Sequence, residues 1–152
     1  MKAAIYARVS TDDQNTENQL NPLIEYAKRM GYDYDVFKEK QSTRKTRPIQ
    51  YELYQKLLRK EYDILIIYKL DRWARSVKEL IEHIEKLVDK GVHVYSLTES
   101  IDFSTSMGQF MFHVISAFAQ LERDIISERT KAGLARARAQ GKTLGRPRKK
   151  WN

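Results

Sequence analysis

Four short apolar runs separated by helical patterns organise the first hundred residues. Ala3–Val9, Tyr34–Phe37, Asp63–Leu70 and Val92–Leu97 read as strands. The unbroken run Ile64-Leu65-Ile66-Ile67-Tyr68 predicts a strand covered on both faces. Between the strands, Leu20, Leu23, Ile24 and Ala27 fall on one helical face. So do Tyr51, Tyr54, Leu57 and Leu58, and then Val77, Leu80, Ile81, Ile84, Leu87 and Val88. Thr16 with Gln19, Ser76 with Glu79, and Ser106 with Gln109 fit capping boxes. Pro48 suits the first turn of a helix, and Gly31 and Gly91 fall where two helices should stop. The alternation predicts an α/β fold with a mostly parallel sheet flanked by helices.

From Ser106 the period changes. Phe110, Met111, Val114, Ile115, Phe118, Leu121, Ile125 and Ile126 recur every three or four residues, with no proline before Pro147. This predicts a single long C-terminal helix, well beyond the roughly 8–20 residues usual in globular domains. One small sheet cannot cover so long an apolar stripe, so a second copy of the chain is expected to cover it. The expected division is an α/β domain over 1–104, an oligomerisation helix over 105–140 and an extended basic arm over 141–152.

Charge sharpens this picture. The formal net charge is +8, but the stretch from Arg129 to Asn152 holds nine basic residues and no acidic one. That leaves 19 basic against 20 acidic side chains over the first 128 residues. A nearly neutral body with a cationic tail points to nucleic acid, bound mainly through phosphates. The arm residues that would bind DNA are Arg136, Lys142, Gly145, Arg146, Pro147, Arg148, Lys149 and Lys150, and Gly145-Arg146-Pro147 is slim enough for a narrow minor groove. The absence of cysteine excludes disulfides and thiolate metal sites, and His83, His93 and His113 show no ligand spacing. No cofactor or metal is expected. No signal peptide or spanning segment is visible, so a cytoplasmic protein acting away from the membrane is expected.

The candidate chemistry lies at strand ends. In sheets of this kind ligands bind beyond the carboxyl ends of the strands. Ser10 follows the first strand, and Asp71, Arg72 and Arg75 follow the third. Arg47 precedes Pro48 at a helix start, and the polar stretch Lys38–Arg47 reads as a mobile loop. Four arginines, Arg8, Arg47, Arg72 and Arg75, can thus converge near one serine. Guanidinium groups match phosphate oxygens in pairs, so the pattern suits serine chemistry on a phosphodiester. Two other readings exist: a phospho-receiver domain built on Asp12, Asp13, Asp71 and Thr98, and a DNA-binding or assembly protein without catalysis.

Tyr6-Ala7-Arg8-Val9-Ser10-Thr11, with Gln14 and Gln19 after it, resembles the opening motif of the serine recombinases, the resolvase/invertase family. Arg47-Pro48 is similar to the family's mobile-loop arginine, and Leu70-Asp71-Arg72-Trp73-Ala74-Arg75 to its Leu-Asp-Arg-x-x-Arg motif. Met107-Gly108 and the segments Ser116–Arg123 and Glu128–Thr130 resemble the start of its long helix, and Gly141-Lys142 with Gly145–Pro147 its arm. The resemblance implies that Ser10 attacks a DNA phosphodiester to give a 5′-phosphoserine link and a free 3′-hydroxyl, without a metal. Arg8, Arg72 and Arg75 would hold the phosphate, and Arg47 would reach in from its loop. Gln14 and Gln19 would support the site, and Lys56 matches a family lysine less securely. Asp71 would either orient an arginine or serve the leaving oxygen. The resemblance also implies homodimers that pair into an active tetramer on double-stranded DNA. Phe110, Val114, Phe118, Leu121, Glu122, Arg123, Ile125, Glu128 and Arg129 would form or flank that interface. No helix-turn-helix domain is visible, which implies a fragment, a recognition partner or binding by the arm alone.

Overall fold

The computed structural model describes residues 1–9, 13–40 and 46–141, with backbone alone for 13–15. The elements are β1 (Lys2–Val9), α1 (Asp13–Arg29), β2 (Asp33–Lys40), α2 (Pro48–Leu58), β3 (Ile64–Ile67), α3 (Leu70–Trp73), α4 (Val77–Asp89), β4 (His93–Ser96), β5 (Ile101–Asp102) and α5 (Ser106–Ala139). The sheet order is β2-β1-β3-β4-β5, with only β5 antiparallel. The mostly parallel α/β fold and the long C-terminal helix agree with the sequence pattern.

The central strands bury both faces. Ala3, Ile5, Ala7, Ile64 and Ile66 pack with Leu20, Leu23 and Ala27 of α1. Alternation turns Ala4, Tyr6, Leu65 and Ile67 to the opposite face, where they are equally buried. There the Tyr6 ring meets Trp73 edge-on at 5.0 Å. Each fully buried isoleucine or leucine contributes roughly 1.5–3 kcal/mol by leaving water. Gly31 and Gly91 end α1 and α4 with φ of +74° and +80°, values that disfavour any side chain.

Several elements differ from expectation. β3 ends at Ile67, and Leu70 opens the one-turn α3 instead of closing the strand. An apolar run carries no period that separates a buried strand from a helical turn after it. β5 was not foreseen, because a two-residue pairing is too short to make a pattern. Lys38–Lys40 belong to β2 rather than to a loop, while 41–45 lie outside the described residues. α1 begins three residues before Thr16, which therefore cannot cap it. On α2 the inward face is Gln50, Leu53, Tyr54 and Leu57, and Tyr51 is exposed. Val77 likewise points outward at the start of α4, leaving Leu80, Ile84 and Leu87 to fill the core.

The cap of α5 is Thr105, not Ser106: Gly108 donates its N–H to Thr105 Oγ1 at 3.0 Å. The Gln109 amide donates to the Phe103 carbonyl instead of closing a box. Ser76 caps α4 as expected, accepting from the Glu79 N–H at 3.1 Å. The 34 residues of α5 correspond to about 51 Å of helix. The chain divides into two compact units, the first ending at Val114 and the second beginning at Ile115. Among the described residues no helix is long and apolar enough to cross a membrane.

Candidate active site

The parallel strands bring their carboxyl ends to one edge of the sheet. Arg8 stands there in β1, paired in register with Glu39 of β2. Arg47 is the N-cap residue of α2 and is only 8% exposed. Its side chain makes no cap; Nη1 donates to the Trp73 carbonyl oxygen at 2.6 Å. That oxygen is one of the carbonyls left over at the end of α3, so a buried guanidinium meets the negative end of a short helix.

The Gln50 side-chain amide donates to the same Trp73 oxygen and to Glu79 Oε1, both at 2.9 Å. Glu79 Oε2 in turn accepts from Arg75 Nε and the Arg75 N–H, each at 3.4 Å. Asp71, a candidate partner for Arg75, is exposed and makes no ion pair among the described residues. Arg72 lies in α3, half-buried, with its Nε lacking a hydrogen-bond partner among the described residues.

Like charges crowd here. Burial, and after it the neighbouring charge of Arg8, pull the Arg47 pKa below its ordinary value, and Arg75 acts the same way. Tyr6 and Glu79 oppose that pull. Burial raises the Tyr6 hydroxyl pKa, and the Glu39 charge raises it further, so Tyr6 stays protonated. For Glu79, burial acts upward, but hydrogen bonds from Gln50 and Arg75 outweigh it and hold the carboxyl below its usual range.

Three contributors escaped the sequence pattern. Glu39, 1% exposed, sits where a mobile loop was expected. Its carboxylate accepts from the Gln50 N–H at 3.1 Å and so caps α2 from the neighbouring strand. Gln50 takes an inward position because both ends of its reach are satisfied. His83 stacks on Tyr54 at 3.8 Å and accepts from Trp73 Nε1 at 3.0 Å. Glu39 shares a face of β2 with Phe37 and the exposed Asp33 and Asp35, opposite Tyr34 and Val36, so the alternation of the strand gave no signal for it.

A cleft of about 520 Å³ opens beside these groups, lined in part by Arg47, Gln50, Tyr54, Arg75, Glu79 and His83. Arg8, Arg47 and Arg75 are therefore brought within electrostatic reach of one another. Gln19 is buried in α1, and its Oε1 has no partner among the described residues. Ser10 and the Gln14 side chain lie outside the described residues, as do Lys142, Gly145, Arg146, Pro147, Arg148, Lys149 and Lys150.

Residues 3–143 match the family model described as the resolvase N-terminal domain. The chain belongs to the resolvase/invertase family of serine recombinases. It is 50% identical over 145 residues to the transposon Tn917 resolvase of Enterococcus faecalis, covering 95% of this chain and 75% of that protein. It is 46% identical over 145 residues to the serine recombinase gin of Escherichia phage Mu, covering 95% and 72%. The crystal structure of the N-terminal catalytic domain of TP901-1 integrase superposes with a TM-score of 0.72 at 32% identity, covering 82% of this chain and 98% of that one. A resolvase-family recombinase from Streptococcus pneumoniae, at 23% identity and the same TM-score of 0.72, shares the fold. Membership in the serine recombinases assigns the chain to DNA recombination.

Proposed function

We propose that this serine recombinase cuts and rejoins double-stranded DNA through a covalent link to Ser10. The Ser10 hydroxyl oxygen attacks the phosphorus, the P–O3′ bond breaks, and the leaving oxygen takes up a proton as the serine gives one up. A 5′-phosphoserine and a free 3′-hydroxyl result. The reverse attack by a 3′-hydroxyl reseals the strand, so the diester's energy is conserved and no nucleotide cofactor is consumed. Arg8, Arg72 and Arg75 hold the phosphate oxygens, and Arg47 reaches them from the start of α2. Gln14 and Gln19 support the site, and Asp71 orients an arginine or serves the leaving oxygen.

The observation that carries this reading is the cleft that a buried Arg47 and Arg75 line together, with Arg8 near enough to act on Arg47 by its charge. Cations held close enough to oppose one another's charge are a preformed anion site, and fixed positive charge aimed at phosphate oxygens is the main lever on phosphoryl transfer. We further propose the functional division 1–104, 105–140 and 141–152, with Arg136 and the following basic arm tracking DNA phosphates.

A denaturing gel of the protein with DNA carrying its crossover site tests the chemistry. A covalent adduct is expected with the wild type and none with Ser10→Ala. Arg72→Ala or Arg75→Ala should slow its formation by about 100-fold or more. An adduct of equal yield in Ser10→Ala would overturn the assignment. DNA binding without any adduct in the wild type would leave an assembly role in its place.

A further inference from the structure

The Glu79 carboxylate is the unexpected member of the arginine cluster. As the third residue of a capping box it should reach back to the backbone of its own cap, Ser76. It reaches past Ser76 instead: Oε2 takes Arg75 and Oε1 takes the Gln50 amide. Gln50 shares the Trp73 carbonyl with Arg47, so Glu79 touches Arg75 directly and is linked to Arg47 through Gln50 and that carbonyl. It also lines the same cleft as Arg47 and Arg75. Its side chain is 18% exposed, whereas that of Arg75 is 48% exposed. The carboxylate is thus the more buried partner of the pair, and the guanidinium the one that solvent and an incoming phosphate reach.

We infer that Glu79 is a placeholder for the DNA phosphate, a positioning residue that holds Arg75 in the cleft until a phosphate displaces it. This rests on the proposed role of Arg75 as a phosphate ligand. Before DNA arrives, the Glu79 carboxylate offsets part of the mutual repulsion of the arginines. On arrival, Arg75 exchanges one oxyanion for another, and the ion pair given up is a weak, half-solvated one. The same carboxylate repels loosely placed anions, so stray phosphates compete poorly for the site.

Inorganic phosphate is the probe, titrated into the full chain at constant ionic strength while the Arg75 Nε–H resonance is followed by NMR. Glu79→Gln removes the charge and keeps one acceptor oxygen, which can take Arg75 while the Gln50 amide keeps the Trp73 carbonyl. It should bind phosphate between roughly 3-fold and 10-fold more tightly than the wild type, since a negative charge beside the anion is gone. In the wild type, phosphate should move the Arg75 resonance in the direction in which the substitution already moves it. Equal or weaker phosphate binding in a folded Glu79→Gln protein would overturn the inference. Should that variant not fold, Glu79→Asp keeps the charge and withdraws it from Arg75, and an Arg75 resonance unchanged by this shortening would overturn it equally. The adduct assay separates this from the reading beneath it. An adduct in the wild type with no phosphate effect in the variant removes the placeholder alone. A phosphate effect with no adduct removes the recombination chemistry and leaves the anion site.

Discussion

His83 couples the cleft to pH. Burial holds its pKa below the ordinary 6.5, and the charge of Glu79 only partly opposes this. Its Nδ1 must carry a lone pair to accept from Trp73, so the folded protein favours the neutral ring. Below the unfolded pKa the unfolded chain binds the proton more readily, and stability is lost as the pH falls. His83→Asn keeps an acceptor near the Nδ1 position but does not titrate. The melting temperature should therefore fall less in the variant than in the wild type between about pH 7 and about pH 5, read by calorimetry, even though losing the Tyr54 stack lowers it at neutral pH. The arginines were legible in the sequence because charge beside a strand end or before a helix-starting proline is unusual. Glu39 and Gln50 were not, because each is polar yet buried against partners distant in the chain, and Glu79 was legible only as half of a capping box. Their burial is intelligible only once β2, α2 and α4 are side by side. Of the proposed catalytic residues, Ser10 was legible only in company with its arginines.

Among the elements, the start of α5 is closely built against its neighbour. A Cβ on Gly108 would stand 1.9 Å from the Asp102 carbonyl oxygen, so the first turn lies directly on the end of β5. Gly108→Ala should cost about 1–3 kcal/mol by forcing the turn away, measured by urea denaturation. An unchanged midpoint would mean that the turn moves freely. Helix starts were only partly legible. Ser76 declared its helix correctly, whereas Thr105 was passed over for Ser106 because both are hydroxyl residues and one step separates them. The cap of α2 could not be read locally at all, since its carboxylate comes from β2. The four parallel strands were visible as apolar runs; β5 has no core of its own to leave such a trace.

At the scale of the whole molecule, α5 leaves apolar side chains exposed among the described residues. Phe110, Val114, Phe118, Leu121 and Ile125 are all exposed. Glu122, Arg123, Glu128 and Arg129 are exposed as well and form no ion pairs among the described residues. We expect the wild type to sediment as a dimer or larger species. Phe118→Glu, which buries a charge in any such contact, should shift it to monomer in analytical ultracentrifugation with the melting of the α/β unit unchanged. A variant that still self-associates like the wild type would place the interface elsewhere. Length and period made this helix plain in the sequence, because amphipathic repetition over so many turns has few other uses.

The acceptor for Arg47 and Gln50 is a main-chain oxygen, that of Trp73. A backbone carbonyl belongs to whatever residue occupies the position. The indole has its own work, packing on Tyr6 and donating to His83, so one residue holds the arginine with its backbone and the core with its side chain. A substitution at 73 therefore tests the side chain alone, because the oxygen that anchors the buried arginine is present whatever residue stands there.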